Sequence, residues 1–215
     1  MNDVAKPPLI HVIDDEESVR TALARLLIAS SYRAVTYESA AQFLNRSCEP
    51  EPGCILLDIN MPDLSGIQLQ DHLIKEHCEL PIIFLTGHGD IAMSVRAIKA
   101  GAEDFLAKPA SKTDLLDAVQ RALQRYNNAY VQQAHLQEMR RRIKLLTARE
   151  HEVFQLLVLG MLNKQVAYEL GNTERTVKAH RHNIMEKMQV KSLAELVKIA
   201  SELGILGARE SGLAD

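Results

Sequence analysis

The sequence predicts an α/β domain built on a doubly wound, five-stranded parallel sheet, then a small all-α helix-turn-helix domain, the two joined by a long helical linker. Three observations carry this expectation. Cys54–Leu57 is a short apolar run without polar alternation, as a strand buried on both faces is, and Leu9–Ile13 and Pro81–Leu85 also read as strands. Stretches with apolar residues at helical spacing separate them, so strand and helix alternate. Beyond Asp114 the strand pattern stops, and only helical periodicity with caps and glycine turns follows.

Leu9–Ile13 ends in Asp14-Asp15-Glu16-Glu17, which puts carboxylates at the carboxyl end of the first strand. Val19, Leu23, Leu26 and Leu27 then step as a helix, Arg33–Tyr37 alternates as a second strand, and Ala40–Leu44 is a short helix. Glu49-Pro50-Glu51-Pro52-Gly53 is a loop into the central strand, Cys54–Leu57, at whose carboxyl end Asp58 sits. In open α/β sheets the carboxyl edge of the strands is where ligands bind. Met61-Pro62 blocks continuation, because proline has no N–H and restricts the residue before it. Gly66 is expected to supply a tight turn before a helix carrying Ile67, Leu69, Leu73 and Ile74. Pro81–Leu85 is the fourth strand, running into Thr86-Gly87-His88-Gly89. Residues 90–100 read as a helix closed by Gly101 as its C-cap glycine, and Ala102–Ala107 is the fifth strand, ending at Lys108-Pro109.

Asp114 is expected to open a helix whose Leu116, Val119, Leu123, Tyr126 and Tyr130 step by three and four, a coiled-coil-like seam. The seam weakens through Gln132-Gln133 and Gln137, and resumes with Met139, Ile143 and Leu146 beside Arg140-Arg141-Arg142. A solvated spacer and a dimer seam both fit that pattern. Thr147-Ala148-Arg149-Glu150 is a capping box that starts a new helix, with Val153, Leu156, Leu157 and Leu159 as its buried stripe and Gly160 as its end. Asn163–Leu170, the turn Gly171-Asn172-Thr173 and Glu174–Met188 form a helix-turn-helix. Ser192 caps a last helix to about Leu203. The expected domains are residues 1–125, a helical linker 126–143 continuing the fifth helix of the first domain, a helix-turn-helix domain 144–208 and a mobile tail 209–215.

The net charge of −3 conceals a division: residues 1–125 hold 12 basic and 18 acidic side chains, residues 126–143 hold 3 and 1, and residues 144–215 hold 10 and 9. An acidic front half joined to a nearly neutral back half suggests two jobs without requiring nucleic acid. Cys48, Cys54 and Cys78 lack metal-ligand spacing and read as free thiols in a reducing compartment. No apolar run approaches a membrane span and Met1–Pro8 lacks a signal pattern, so a cytoplasmic protein without a membrane partner is expected.

Four strand ends place Asp14, Asp15, Asp58, Thr86 and Lys108 on one rim. Three carboxylates within about 4 Å repel by several kcal/mol at a moderate dielectric, so a cation must balance them. Mg²⁺ fits, since it takes oxygen ligands, few carboxylates and phosphate oxygens. Lys108 is placed to hold a phosphoryl oxygen, or to pair with Asp58 without one. Acidic pair, D-x-x-M-P-x-x-x-G, Thr-Gly and Lys-Pro fall in order at successive strand ends, and residues 9 to about 125 thereby resemble the receiver domain of two-component response regulators. That resemblance implies that Asp58 accepts a phosphoryl group from the phosphohistidine of a sensor histidine kinase. It implies a Mg²⁺ site of Asp14, Asp15, Asp58 and the main-chain carbonyl of Asn60. Thr86 and Lys108 would receive phosphoryl oxygens, and Phe105 matches the aromatic switch position. With Phe rather than Tyr there, burial of the ring, about 1.5–3 kcal/mol, has to drive the switch. A full 1:99 to 99:1 shift takes about 5.5 kcal/mol, so the ring alone is insufficient.

L-T-A-R-E-H-E-V, G-M-L-N-K-Q-V-A-Y-E-L-G and T-E-R-T-V-K-A-H-R-H-N-I-M-E-K-M resemble the output domain of the LuxR, NarL and FixJ type, and T-G-H-G-D-I-A-M-S-V-R-A-I-K-A-G-A-E-D-F-L-A-K-P is similar to FixJ-like regulators. The resemblance implies a transcription regulator rather than an enzyme, dimeric when phosphorylated, acting on promoter DNA at half-sites about 10 bp apart or a multiple of that, and with RNA polymerase as a further partner. On the recognition helix Arg175, Thr176, Lys178, Ala179, Arg181 and His182 are the expected DNA contacts, with Val177, Ile184 and Met188 inward. Asn172 stands where the family usually has an apolar residue, so a weak staple is expected there. Two alternatives stay open. A phosphatase resembling the haloacid dehalogenase type would use Asp58 as nucleophile, but wants an acid two positions on, where Asn60 stands. A constitutive DNA-binding protein would keep the receiver as a phosphate-independent scaffold.

Overall fold

The structure, a computed structural model, describes residues 6–46, 51–87 and 91–206, with the side chains of 91–94 set aside. Cys48, the Glu49-Pro50 part of the entry loop, His88, Gly89 and the tail 209–215 lie outside the described residues. The chain divides into two compact units, Met1–Tyr130 and Val131–Asp215.

In the first unit, strands β1 (Leu9–Ile13), β2 (Arg33–Tyr37), β3 (Gly53–Asp58), β4 (Ile82–Thr86) and β5 (Asp104–Ala107) alternate with helices α1 (Glu17–Ala29), α2 (Ala40–Leu44), α3 (Gly66–Lys75), α4 (Ile91–Lys99) and α5 (Lys112–Ile143). The strands form one sheet in the order β2-β1-β3-β4-β5, every neighbouring pair parallel. The order turns back between β1 and β3, which makes a crevice outside their carboxyl ends. Each sheet face is covered. Ile55, Leu57, Phe84 and Phe43 pack with α3 and α4 residues in one layer, and Ile10, Val12, Leu56 and Ile83 pack with Leu27 of α1 and Leu115, Val119 and Leu123 of α5 in the other. That double burial is why β3 and β4 read as apolar runs up to their last residue, and β1 as one interrupted only by His11.

Several local expectations need correction: β5 starts at Asp104 rather than Ala102, and the central strand takes in Gly53 and Asp58 at its two ends. β4 runs one residue later than Pro81–Leu85, so Thr86 belongs to the strand. α5 opens at Lys112 rather than Asp114, because the Ser111 hydroxyl accepts from the Asp114 backbone N–H at 3.1 Å. Gly66 makes no tight turn; it is the first residue of α3, and a Cβ there would stand 2.3 Å from the Asp58 carbonyl oxygen. The apolar stripe of α5 is a core face: Leu115, Ala118, Val119, Ala122 and Leu123 are buried against the sheet, Leu116 is half-buried and Tyr130 is 57% exposed. Gly101, by contrast, closes α4 as expected, with φ +99° and the Ala102 N–H donating to Ala97 O at 3.1 Å.

In the second unit Met139 is buried, and Ile143 and Leu146 pack beside it, in a core shared with α6 (Ala148–Val158), α7 (Asn163–Glu169), α8 (Glu174–Met188) and α9 (Leu193–Glu202). The last turns of α5 therefore belong to this core. Thr147 and Glu150 form the expected capping box, and Ser192 caps α9. The stripe of α6 is Val153, Phe154, Leu157 and Val158; Leu159, past the helix end, is 50% exposed, and Leu156 is half-buried. Among the described residues no helix is long and apolar enough to cross a membrane.

Candidate functional site

The parallel register that pairs Ile13 with Leu57 sets Asp14, the next residue after β1, beside Asp58, the last residue of β3. Asp14 and Asp58 are buried and Asp15 is exposed. One oxygen from each of the three lies within 4.8 Å of the others. Lys108, following β5, reaches into the cluster: its Nζ is 2.6 Å from Asp14 Oδ2, 3.1 Å from Asp58 Oδ2 and 3.8 Å from Glu16 Oε1. Asp14 Oδ2 has no other partner among the described residues. Its Oδ1 accepts from the Glu16 N–H at 3.0 Å, and its carbonyl accepts from Arg20 Nη1 at 2.7 Å. Thr86, buried at the end of β4, is tied to the same edge by the Lys108 N–H, which donates to its carbonyl at 2.6 Å. The Asn60 N–H points at Asp58 Oδ1 at 3.4 Å. Gly66 brings the start of α3 against the Asp58 main chain, its N–H donating to Ile59 O at 2.9 Å.

Burial pushes the Asp58 carboxyl above its ordinary value and the Asp14 charge adds to the push, while Lys108 pulls the other way. For Lys108, burial works to lower the ammonium, but its bonds to Asp14 and Asp58 outweigh that and raise it. The pocket holds its charges by mutual pairing, with three carboxylates on one ammonium. A hard cation is the natural complement, since the surplus is negative and every nearby donor is oxygen. Phe105 is half-buried, in register with Phe84.

In the second unit, α8 is capped by Thr173, whose hydroxyl accepts from the Thr176 N–H at 3.1 Å. Val177, Ile184 and Met188 are buried. Arg175, Lys178, Ala179 and His182 share an exposed face, as their spacing of three and four requires. Lys178 pairs with Glu174 at 3.1 Å, and His182 stands 3.6 Å from Glu186. Arg181 is turned aside: it is half-buried, and its Nη1 donates to Asn163 Oδ1 on α7 at 3.3 Å. Thr176 is exposed and engaged in the cap.

Sequence reasoning missed the residues that hold this helix. Lys187 Nζ meets the buried Glu150 Oε2 at 2.5 Å, Arg142 Nη1 donates to Met188 O at 3.1 Å, and Arg149 Nη2 donates to Leu170 O at 2.6 Å. Their one visible signal is the Arg-Glu pair inside the capping box; the partners lie 21 to 46 residues away.

Comparison with known proteins agrees with both units. Residues 10–120 match the family described as response regulator receiver domain, and residues 144–200 match the luxR family of bacterial regulatory proteins. The chain is 41% identical to the response regulator protein TmoT of Ectopseudomonas mendocina, over 94% of this chain and 91% of that one. It is 40% identical to the transcriptional regulatory protein FixJ of Azorhizobium caulinodans, over 94% and 96%. Among solved structures, the response regulator StyR superposes with a TM-score of 0.82 at 43% identity, covering 91% of this chain and 99% of that chain. Full-length FixJ from B. japonicum superposes at 0.56 with 35% identity, covering 92% and 98%. With an acid crevice on a five-stranded receiver sheet in the first unit, a capped helix-turn-helix in the second and relatives matched along nearly their whole length, the chain belongs to the two-component response regulators that regulate transcription through a LuxR-type helix-turn-helix domain.

Proposed function

We propose that Asp58 is the phosphoacceptor, and that its phosphorylation by a sensor histidine kinase controls promoter binding by α8. The observation that carries this reading is the cluster of Asp14, Asp15 and Asp58 with Lys108 bridging two of them at the sheet's carboxyl edge. An Asp58 carboxylate oxygen attacks phosphorus, the P–N bond of the phosphohistidine breaks, and the imidazole takes the electron pair. Little else is asked of the protein beyond positioning and charge neutralisation. Asp14, Asp15, Asp58 and the Asn60 carbonyl would hold Mg²⁺, which neutralises charge on the phosphoryl oxygens. Lys108 gives up its pairing with Asp58 for a phosphoryl oxygen, and the Thr86 hydroxyl takes another. Phe105 then turns further inward. Because the ring is already half-buried, less than the full 1.5–3 kcal/mol of its burial remains to be gained, so contacts elsewhere must supply most of the shift. Arg175, Lys178, Ala179 and His182 face the DNA, with Thr176 and Arg181 at the margins. Phosphorylated chains pair on two half-sites and meet RNA polymerase there.

The test uses acetyl phosphate and Mg²⁺ with the full chain. Expected are incorporation of one phosphoryl group, lost in Asp58→Asn, a rise in promoter affinity of about 5- to 150-fold, typical of allosteric coupling, and a shift toward dimer in sedimentation. Equal affinity and an unchanged oligomeric state with and without the phosphodonor would overturn the switch.

A further inference from the structure

Asn172 was expected to leave the turn of the helix-turn-helix loosely stapled. The structure has a polar bracket there instead. With its amide oriented so that Oδ1 faces α6, Asn172 accepts from Arg149 Nη2 at 2.8 Å and from Nε at 3.3 Å. The same guanidinium donates to Leu170 O at 2.6 Å, at the C-cap of α7, and pairs with Glu152 on its own helix. The Asn172 N–H is used separately, donating to Ala167 O at 2.8 Å. One planar, rigid fork from α6 thus ties the end of α7 to the turn that launches α8.

We propose that Asn172 is a positioning residue for DNA sequence recognition: through Arg149 it sets the angle at which α8 leaves the turn. This rests on the reading of α8 as the base-reading helix. Lys178 and His182 lie five and nine residues along α8, and at 1.5 Å per residue a tilt of about 10° displaces them by roughly 1–2 Å. That breaks the geometry of a bidentate base contact. Phosphate contacts made by long, flexible cations adapt to the same tilt. Loss of the bracket therefore costs discrimination between sequences and spares general affinity.

The experiment compares the full-length wild type, Asn172→Ala, Asn172→Asp and Asn172→Leu in the presence of acetyl phosphate and Mg²⁺. Each is titrated with a duplex that the wild type has selected from a randomised pool, and with a mixed-sequence duplex of equal length. The Ala variant is expected to lose about tenfold on the selected duplex, to change less than about twofold on the mixed one, and to keep the wild-type salt slope, since no phosphate contact is removed. The Asp variant, which keeps an oxygen facing Arg149, restores discrimination. Arg149→Lys keeps the charge, loses the fork and carries the same expectation as Ala, which covers the case that Ala does not fold. Equal discrimination by wild type and Ala, or full restoration by Leu, overturns the bracket while leaving the base-reading role of α8 standing. A wild type that enriches no sequence removes that role and this inference with it.

Discussion

Lys108 reconciles two buried carboxylates that would otherwise repel, and elsewhere in the receiver single buried polar groups are similarly tuned by their neighbours. His11 is 8% exposed, with Nδ1 3.0 Å from the Tyr37 hydroxyl and its ring edge-on to Phe43. Burial, helped by the Arg46 charge, pushes its imidazole down to about 4. In the unfolded chain the same group titrates near its ordinary 6.5. Between those values the unfolded chain binds a proton that the fold excludes, so stability is full above pH 6.5 and falls as pH drops toward 4. The loss expected by pH 5 is about 2 kcal/mol. Urea midpoints at pH 7.5 and 5 check this, with His11→Gln expected to show a smaller difference between the two. Gln70 is a different case. It is 1% exposed, its Nε2 donates to Ala97 O at 3.2 Å, and its Oε1 has no partner among the described residues. An orphaned buried acceptor costs about 1–3 kcal/mol, and Ala97 O keeps the Ala102 N–H. Gln70→Met should therefore leave the melting temperature unchanged or raise it.

At the level of elements, the start of α6 concentrates the most structure into the fewest residues. The Thr147 hydroxyl accepts from the Glu150 N–H, and the Glu150 carboxylate accepts from the Thr147 N–H at 2.8 Å and from Lys187. Burial pushes the Glu150 carboxyl up, but the bond from Lys187 and those from Thr147 outweigh it and hold it near 2. Thr147→Ala is expected to destabilise the second unit by about 1 kcal/mol, read as a lower urea midpoint at pH 7. The caps at Thr147 and Ser192 involve groups three residues apart, which is why they could be read from sequence; those at Ser65 and Thr173 have the same spacing and were not read. The face of α5 could not. Apolar residues at three and four spacing specify that a stripe will be covered, not by what, and residues 115–123 are covered by the sheet.

Across the whole molecule, the acid cluster is assembled from residues 14, 15, 58 and 108, which only the strand order brings together. Its proposed metal ligands all lie in the first unit. Mg²⁺ at a hundredfold excess over its Kd should add about 2.7 kcal/mol to that unit, visible as a higher melting temperature than in EDTA. Asp14→Asn should remove most of the difference.

The alternation of strands and helices, the caps and the edge on which the carboxylates sit were determined by the sequence alone, because each follows from the period of apolar residues or from contacts within one turn of chain. Tertiary structure decided the rest: which stripe is core, that Lys108 serves Asp14 and Asp58 together, that Gly66 is needed for a close approach, and that Arg149 brackets Asn172. Each of these joins groups distant along the chain. Their meeting depends on strand order and helix packing, which a one-dimensional pattern does not encode.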